Sequence, residues 1–415
     1  MKFALAVTAV IVASLAAAPS LAERASAYLG AKPTPCGFIR VGNQATAGLR
    51  VAGDRMVDSK GAPFMPYGIS IVGGPQTINW RATQRAAAAQ IVAASRYWHA
   101  NSVRLQVSES LLFDRPTPGR SYNVPFVRAV DQLVCLIIRQ RQIPVLNNTT
   151  IFTTLERGPG PRTIRFWRFM SRRYGNNLPI IFDLFNEPKV TMTPRTRAYL
   201  RQSHAWRVWR SGGRVSGVRY VGMQELVDAI RREGAANVIW AEEPYYIEAN
   251  LARLGLLPRY RLRGADIAYA FHKPDMAQAS RSFRGVRAAA ANRMPLVNDE
   301  WGQFAATDRP WMCQPDAYRT TAAYLRFLRR SGIGMLAWSL QPGALVKGVR
   351  GKDTVHDGLD TRFTTDPLEL AQPTEMKRDY GCTAAARGQG AGRLVMDYFA
   401  RYSVPPPAAV FPKLG

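Results

Sequence analysis

Two short motifs in the sequence each place a glutamate where an apolar run ends. Glu187 lies in Asn-Glu-Pro directly after the run PIIFDLF (179–185), and Glu300 lies in Asp-Glu-Trp-Gly at the end of the run PLVNDE (295–300). Cleavage of a glycosidic bond needs two carboxyl groups, one to protonate the leaving oxygen and one to attack the sugar or to activate water. Glu187 and Glu300 are therefore a candidate catalytic pair, provided that the fold brings them together.

Each motif also has a purely structural interpretation. A single glutamate before proline most often lies at a turn or a helix start, and a given tripeptide occurs by chance in about one chain in twenty of this length. The second glutamate at a strand end makes the catalytic interpretation of Glu187 the better one.

Apolar runs alternate with helical stretches along most of the chain. The runs lie at 64–71, 102–107, 143–148, 179–185, 237–243, 266–271, 295–300 and 334–340. Helical periodicity lies at 84–97, 125–140, 161–174, 221–233, 276–292 and 316–330, with a last helix near 392–402. Continuous apolar strands between helices indicate a parallel sheet covered on both faces. Eight such units predict an α/β fold, the (β/α)8 TIM barrel.

An open doubly wound sheet is the alternative fold. It requires a glycine-rich turn after the first strand, for which Gly73-Gly74 gives only weak support.

Two long loops interrupt the regular spacing, at 189–219 after the fourth strand and at 343–389 after the eighth. In a barrel both lie on the C-terminal face, where active sites form. The first holds seven arginines and one lysine with no acidic residue, together with Trp206 and Trp209. We expect these tryptophans and arginines to form one wall of the cleft beside Glu187, although a solvated face is the usual role of a charge run.

Composition excludes a disordered chain, a collagen-like repeat and a small disulfide scaffold, since 47% of the 415 residues are hydrophobic and 20% are charged. The formal charge of +27 favours anionic partners such as nucleic acid, anionic lipid or acidic polysaccharide, although codon composition also explains an arginine bias.

The N-terminus resembles a secretory signal peptide at 1–22, with one lysine, an apolar run and Ser-Leu-Ala before the cleavage point. An uncleaved membrane anchor is the alternative, but Pro19 and Ser20 interrupt the run. We predict a leader at 23–45, a catalytic domain at 46–403 and a tail at 404–415. The predicted location is extracellular or associated with the cell envelope.

Four cysteines lie far apart at 36, 135, 313 and 382, with no Cys-x-x-Cys pair and no His-Glu-x-x-His motif. The sequence therefore predicts no metal site and no cofactor. We predict a disulfide between Cys313 and Cys382, because both follow neighbouring strands on one face of the barrel. Cys36 and Cys135 are then the remaining pair, although four cysteines allow three connectivities.

Several segments resemble glycoside hydrolase family 5, the cellulase family of the retaining clan A glycosidases, over roughly residues 50–340. LRVAGDRMVDSKGAPFMPYGIS is similar to the family's N-terminal hairpin and first strand, and NSVRLQV to its second strand. IIFDLFNEP resembles the strand that carries the acid/base, and PLVNDEWG the strand that carries the nucleophile.

This resemblance implies roles for individual residues. Glu187 would be the acid/base and Glu300 the nucleophile, and Asn186 would bind the sugar 2-hydroxyl. Arg104 would support the nucleophile, although it could equally be a partner for a buried acid such as Asp183. The resemblance also implies that His272 is the sixth-strand histidine and that Trp338 is an aromatic platform for sugar. We add Asn147 and Trp301 as candidate substrate-binding residues.

The chain departs from the family pattern at two positions. Pro274 stands two residues after His272, where the family has a tyrosine, so the hydroxyl that orients the nucleophile would come from Tyr245, Tyr246 or Tyr269. Asn147 and Asn148 stand where the third strand has a histidine.

The predicted function is that of a secreted retaining glycoside hydrolase that acts on a β-linked polysaccharide or glycoconjugate. The expected partner is a carbohydrate, with anionic groups as a further expectation, and the expected state is a monomer without an obligate protein partner. A retaining mechanism also leads us to expect a raised pKa for Glu187 in the free enzyme. The alternative is a secreted basic protein that binds an anionic polymer on the same scaffold.

The arginines of 189–219 generate a first prediction. If they bind an anionic substrate, KM should rise with salt, because charges are screened beyond about 8 to 10 Å at 0.1 to 0.15 M ionic strength. Replacing Arg201, Arg207 and Arg210 by Gln should remove this dependence and leave kcat nearly intact. A KM that responds neither to salt nor to the triple substitution would make the segment an ordinary solvated loop.

Overall fold

The structure is a computed structural model of the chain. It describes residues 36, 48–58, 60–149, 158–175, 179–189, 202–215, 217–244, 250–273, 279–302, 317–341, 344–347, 364–376, 390–406 and 411. The predicted signal peptide and most of the predicted leader lie outside the described residues, so these domain boundaries stay predictions.

Eight strands form a closed parallel barrel, which confirms the predicted fold class. They are β3 (Tyr67–Ser70), β4 (Ser102–Ser108), β5 (Ile143–Thr149), β6 (Ile181–Asp183), β9 (Ile239–Glu242), β10 (Ile267–Lys273), β11 (Leu296–Trp301) and β12 (Gly334–Trp338). Each strand pairs with the next along the chain, and β12 pairs with β3 to close the barrel. The open-sheet alternative is therefore excluded.

Two short antiparallel hairpins lie outside the barrel. One consists of β1 (Arg50–Ala52) and β2 (Arg55–Val57), within the segment that resembles the family's N-terminal hairpin. The other, β7 (Gly213–Val215) with β8 (Val218–Tyr220), lies in the long loop after β6.

Helices surround the barrel, and the predicted ones are found with ends shifted by at most a few residues. In the described part of the chain they are α1 (Trp80–Arg96), α2 (Glu109–Phe113), α3 (Val124–Arg139), α4 (Pro161–Tyr174), α5 (Gln202–Ser211), α6 (Met223–Arg232), α7 (Ala279–Ala291), α8 (Ala317–Arg330) and α9 (Gly392–Tyr402). The sequence did not predict α2, α5 or the 3-10 helix Asn250–Tyr260. None of the helices in the described ranges is long and apolar enough to cross a membrane.

Polar side chains fill the part of the barrel interior nearest the C-terminal ends of the strands. Register pairs Gln106 with Asn147 and Asn147 with Asp183, so these three residues share the inward face. All three are buried. A buried polar group is costly unless it is paired. Gln106 binds Asn186 and Asp183 binds Arg104 in the site described below, whereas neither polar side-chain atom of Asn147 has a hydrogen-bond partner among the described residues.

A disulfide joins Cys36 to Cys135, so the prediction for this pair is confirmed. Cys135 lies on α3, and the bond therefore fastens the segment before β1 to the helical layer. Cys313 and Cys382 lie outside the described residues, and their pairing stays a prediction.

The bond spans 99 residues of sequence, which generates a second prediction. Closing a loop of about 100 residues is expected to stabilise the fold by up to about 4.7 kcal/mol through loss of chain entropy in the unfolded state. Replacing both cysteines by serine should therefore lower the free energy of unfolding by about 2 to 5 kcal/mol in denaturant titrations without reductant. The reduced wild-type protein should match the variant; an unchanged midpoint in both would contradict the expectation.

Candidate active site

Arg104, on β4, is the centre of the charged network at the barrel mouth. Its side chain is fully buried, and its three nitrogens donate to three different residues. Nε donates to Asp183 Oδ2 at 2.8 Å, Nη1 to Glu300 Oε2 at 2.8 Å and Nη2 to Asn186 Oδ1 at 3.0 Å. Arg104 therefore binds both Glu300 and Asp183, the contacts that the two interpretations from the sequence require, and its role in catalysis stays a prediction.

Glu187 lies just beyond β6, on a turn that neighbouring elements hold in place. The Leu184 carbonyl accepts the indole N–H of Trp167 on α4 at 2.8 Å, and the Asn186 N–H donates to Asn148 O at 2.8 Å. Glu187 itself has φ of 48°, in the left-handed region that residues other than glycine rarely adopt. Strain of this kind persists only where the surroundings fix the backbone, and it concentrates at functional sites.

Glu300 reaches the same space from β11 through an irregular register. The pairing of β10 with β11 shifts between Phe271 and His272, and that of β11 with β12 shifts between Asn298 and Trp301. A bulge of this kind re-aims side chains. As a result the consecutive residues Asp299 and Glu300 both approach Arg104, at 3.4 Å and 2.8 Å.

The two candidate catalytic carboxyl groups face each other across the barrel mouth. One oxygen of Glu187, one of Glu300 and a ring nitrogen of His272 lie within 4.8 Å of one another. The side chains of Glu187 and Glu300 are 25% and 18% exposed. Both carboxyl groups are therefore accessible to a bound molecule from the cleft.

His272, on β10, lies between the two glutamates. Its Nδ1 is 3.2 Å from Glu187 Oε1. Its Nε2 lies 3.3 Å from Glu242 Oε2, 3.6 Å from Asp299 Oδ1 and 3.8 Å from Glu300 Oε2, and makes no aligned hydrogen bond in the described part of the chain. Burial would lower the pKa of His272, but these carboxylates, Glu242 foremost, raise it well above its usual value.

The same contacts set the protonation of the two glutamates. Burial would raise the pKa of Glu187, but the hydrogen bond and charge of His272 outweigh burial and lower it. Burial raises the pKa of Glu300, against the opposing charges of His272 and Arg104. The expectation of a raised pKa for Glu187 is therefore wrong for the free protein, because the sequence did not reveal that a charged His272 would donate to this carboxylate.

Asp183, Glu242 and Asp299 complete the network. Burial raises the pKa of Asp183 to about 7 despite the charge of Arg104, and burial also raises the pKa of Glu242 well above its usual range. Burial would raise the pKa of Asp299 as well, but Arg104 and His272 lower it. Five carboxyl groups thus share two cations, and burial keeps some of them protonated.

Two groups of three side chains have the atom types of a metal site: Glu187, His272 and Glu300, and Glu242, His272 and Asp299. The Arg104 guanidinium lies within 4 Å of three of these carboxyl groups, those of Glu242, Asp299 and Glu300. Its positive charge opposes a metal ion at that place, so the geometry favours a network of acids and bases.

Of the predicted substrate-binding residues, Asn186 and Trp338 keep exposed surface in the cleft region. The Asn186 Oδ1 accepts from Arg104 and from Gln106 Nε2, which directs its NH2 group away from them. Trp338 is partly buried at the end of β12. Both positions suit contact with a ligand, and their roles stay predictions.

Four other predicted residues are buried. Arg104 and His272 lie beneath the two glutamates, Asn147 is fully buried, and Trp301 is fully buried against Tyr324 of α8. Burial argues against direct sugar contact by Asn147 and Trp301. The reason for Trp301 is alternation, because Glu300 points into the barrel and the next side chain points out to the helices.

Tyr269 does not supply the hydroxyl that the sequence analysis required near Glu300. Its hydroxyl accepts the N–H of Leu262 at 2.8 Å, and its side chain is buried. Tyr245 and Tyr246 lie outside the described residues. The donor that the structure does show for Glu300 is the Nη1 of Arg104.

Trp206 and Trp209 do not form a cleft wall, so that expectation is wrong. Both lie on α5 and are 1% exposed. The ring of Trp206 stacks on that of Tyr260, with the ring centroids 5.7 Å apart. The indole N–H of Trp209 donates to the backbone oxygen of Glu242 at 2.6 Å. Their apolar surface binds the helix to the barrel. Arg207 remains exposed on the other face of this helix.

Comparison with known proteins now identifies the family. The model of the family described as Cellulase (glycosyl hydrolase family 5) matches residues 57–344, more than half of the chain. The chain belongs to glycosyl hydrolase family 5. It is accordingly a glycoside hydrolase, as the sequence resemblance predicted.

Solved structures of a cellulase, a β-mannanase and an endoglucanase share its fold. A thermostable, halotolerant cellulase from an Icelandic hot spring isolate has a TM-score of 0.56 at 16% identity, over 88% of this chain and 98% of that one. A β-mannanase from Streptomyces thermolilacinus has 0.55 at 18% identity, over 89% and 99%. The endoglucanase catalytic domain from Thermobifida fusca has 0.51 at 16%, over 85% and 97%. At these identities the likeness establishes the fold alone, and no curated protein matches the chain significantly in sequence.

Sequence reasoning did not single out Glu242 and Asp299 in this family 5 site. Both were visible as acids at strand ends, in WAEE (240–243) and in NDEWG (298–302). The position of Glu242 at the end of the fifth barrel strand was the available signal, since residues there face the site in this fold.

Glu243, beside Glu242, generates a third prediction. Burial raises its pKa well above the usual range, so the folded protein keeps this proton at a pH where the unfolded chain has lost it. Folding then takes up a proton, and stability falls as pH rises above the unfolded-state pKa by at most about 1.4 kcal/mol per pH unit. Replacing Glu243 by Gln should therefore raise the free energy of unfolding, relative to wild type, more at pH 8 than at pH 4.

Denaturant titrations at the two pH values measure this difference. Glu375→Gln is the control for the substitution itself at an exposed position, since Glu375 is 58% exposed. An effect of Glu243→Gln that does not vary with pH would contradict the burial argument.

Proposed function

We propose that this protein is a retaining glycosidase that cleaves O-glycosidic bonds in a β-linked polysaccharide or glycoconjugate. The observation that carries the proposal is the separation of the carboxyl groups of Glu187 and Glu300, whose nearest oxygens lie within 4.8 Å. Retaining enzymes hold the two carboxyl groups about 5 to 5.5 Å apart, whereas inverting enzymes need about 6.5 to 9.5 Å to admit a water molecule.

In this proposal Glu300 is the nucleophile. Its carboxylate attacks the anomeric carbon, and the bond to the leaving oxygen breaks as the glycosyl-enzyme ester forms. The Nη1 of Arg104, at 2.8 Å, favours the charged form that attack requires and fixes its direction. Asn186 is held by Arg104 and Gln106 with its NH2 group free to donate to a sugar hydroxyl.

Glu187 is the acid/base in this proposal. It delivers a proton to the leaving oxygen, and it then removes a proton from the water that hydrolyses the ester. In the free protein this proton is stored on His272, whose Nδ1 lies 3.2 Å from Glu187 Oε1. Transfer of this proton from His272 to Glu187 accompanies protonation of the leaving oxygen by Glu187. A lowered pKa of Glu187 in the free protein is therefore compatible with acid catalysis.

The proposed polymer class rests on similar solved structures and not on individual contacts. Solved structures with this fold include a family 5 cellulase and a β-mannanase, so β-linked glucan and mannan are the first substrates to examine. We further propose that the enzyme acts outside the cell or at the cell envelope, on the strength of the signal-like N-terminus.

Binding without catalysis is the second candidate, and the basic composition of the chain favours it. A pure binding protein would lose nothing when Glu187 and Glu300 become Gln, whereas a glycosidase would lose nearly all turnover. The facing carboxyl groups support the glycosidase.

A fluorinated glycoside inhibitor tests the two roles. We expect it to label Glu300 covalently, located by peptide mass spectrometry, and we expect Glu300→Gln to abolish labelling. NMR should show products of retained anomeric configuration from the polysaccharide that the enzyme cleaves. Labelling of Glu187 would reverse the roles, and an inverted product would exclude the mechanism.

Glu187→Gln should lower kcat/KM by about 10² to 10⁴ for substrates with poor leaving groups, and much less for activated aryl glycosides. The matched control is Glu109→Gln, because Glu109 is another buried carboxyl on the barrel's C-terminal side, bound to Asn148 at 2.9 Å rather than to His272. Equal losses in the two variants would argue against a specific role for Glu187.

A further inference from the structure

Glu242, at the end of β9, contacts the acid/base without lining the cleft. Its Oε2 accepts the backbone N–H of Glu187 at 2.9 Å. The same oxygen lies 3.3 Å from Nε2 of His272, and the side chain of Glu242 is only 1% exposed. A group so buried cannot touch substrate, so any effect on catalysis must pass through Glu187 and His272.

The contact with the Glu187 N–H bears on a strained residue. Glu187 has φ of 48°, and a side chain in this region is disfavoured by steric contact with its own backbone. The strained conformation persists only if neighbouring groups fix it. Glu242 accepts from the N–H of the strained residue itself, and the backbone of Glu242 is in turn bound to the Trp209 indole at 2.6 Å.

The contact of Glu242 with His272 affects the proton that His272 exchanges with Glu187. Nδ1 of the ring faces Glu187, whereas Nε2 faces Glu242, Asp299 and Glu300, and Glu242 is the nearest of the three. A carboxyl group on one side of an imidazole keeps a proton on the nitrogen that faces it and fixes the ring orientation. The other nitrogen is then left to exchange its proton with Glu187.

We propose that Glu242 is a positioning residue for the acid/base, which holds the backbone of Glu187 and orients the ring of His272 with one oxygen of its carboxyl group. The inference rests on the proposed function, because it requires Glu187 to be the acid/base. The Nη2 of Arg104 lies 3.7 Å from the same oxygen. Because Arg104 also binds Glu300, it links Glu242 to the proposed nucleophile.

The test compares leaving groups. Glu242→Leu keeps the approximate size and removes the acceptor. The probes are phenyl and 2,4-dinitrophenyl β-cellobiosides or β-mannobiosides, whichever pair the wild-type enzyme hydrolyses. We expect kcat/KM to fall about 100-fold for the phenyl glycoside, the size of a general-acid contribution. The dinitrophenyl glycoside, whose leaving group needs little protonation, should lose less than about tenfold.

Two further variants sharpen the comparison. Glu242→Gln keeps an acceptor oxygen and should recover most of the lost rate on the phenyl glycoside. Glu109→Gln is the matched control: its carboxyl is also buried on the C-terminal side of the barrel, but it binds Asn148 at 2.9 Å and forms no hydrogen bond or ion pair with Glu187 or His272 among the described contacts. Any effect of this control on kcat/KM should be the same for the phenyl and the dinitrophenyl glycoside.

Each outcome decides the matter. An equal loss on both glycosides in folded Glu242→Leu, or no loss, overturns the positioning role. If Glu242→Leu does not fold, Glu242→Asp replaces it, since the shorter side chain withdraws the acceptor and must produce the same selective loss. Failure of the proposed function is visible separately. In that case Glu187→Gln shows no dependence on the leaving group, whatever the Glu242 variants do, or the wild-type protein hydrolyses neither pair of glycosides.

Discussion

The guanidinium of Arg104 is the contact on which the site at the barrel mouth depends. It is fully buried, and its donors go to Asp183, Glu300 and Asn186, which come from β6, from β11 and from the turn after β6. Leaving a buried charge without its partner costs about 3 to 5 kcal/mol, so none of these contacts can be lost cheaply. A planar group with donors in fixed directions therefore sets where the Glu300 carboxyl and the Asn186 amide lie relative to each other.

The charge of this network explains its protonation. Five carboxyl groups contact Arg104 or His272, and two cations cannot balance five anions in a buried space. Burial accordingly raises the pKa of Glu242 well above its usual range and that of Asp183 to about 7. The hydrogen bond and charge of His272 lower the pKa of Glu187 instead, and in the proposed mechanism the proton that Glu187 delivers is held on this imidazole.

The outer layer of the fold supports this arrangement from behind. The indole of Trp167 on α4 binds the end of β6, and the indole of Trp209 on α5 binds the end of β9. The basic loop after β6 thus has two faces with different physical roles. Its tryptophans are buried against the barrel and the 3-10 helix that follows β9, while Arg207 stays in water, where it is available to an anionic ligand.

The sequence by itself determined the class of fold, the eight barrel strands and most of the helices. Those features follow from local periodicity and strand composition, which the chain carries residue by residue. It also marked Glu187 and Glu300, since a glutamate that ends an apolar strand is visible without coordinates. The sequence did not predict the helix Gln202–Ser211, because the charged residues of its exposed face alternate with apolar residues that are recognisable as one face only when the barrel is known.

Only the tertiary structure decided in which direction the pKa of each carboxyl group shifts and which buried residues hold the two glutamates in place. The lowered pKa of Glu187 depends on a histidine 85 residues away in sequence, and the contact of Glu242 with its N–H spans 55 residues. The bulge that brings Asp299 and Glu300 to one guanidinium, and the burial that withdraws Trp301 from the cleft, likewise arise from strand register. Pairing between distant strands sets such distances, and no local pattern in the chain encodes them.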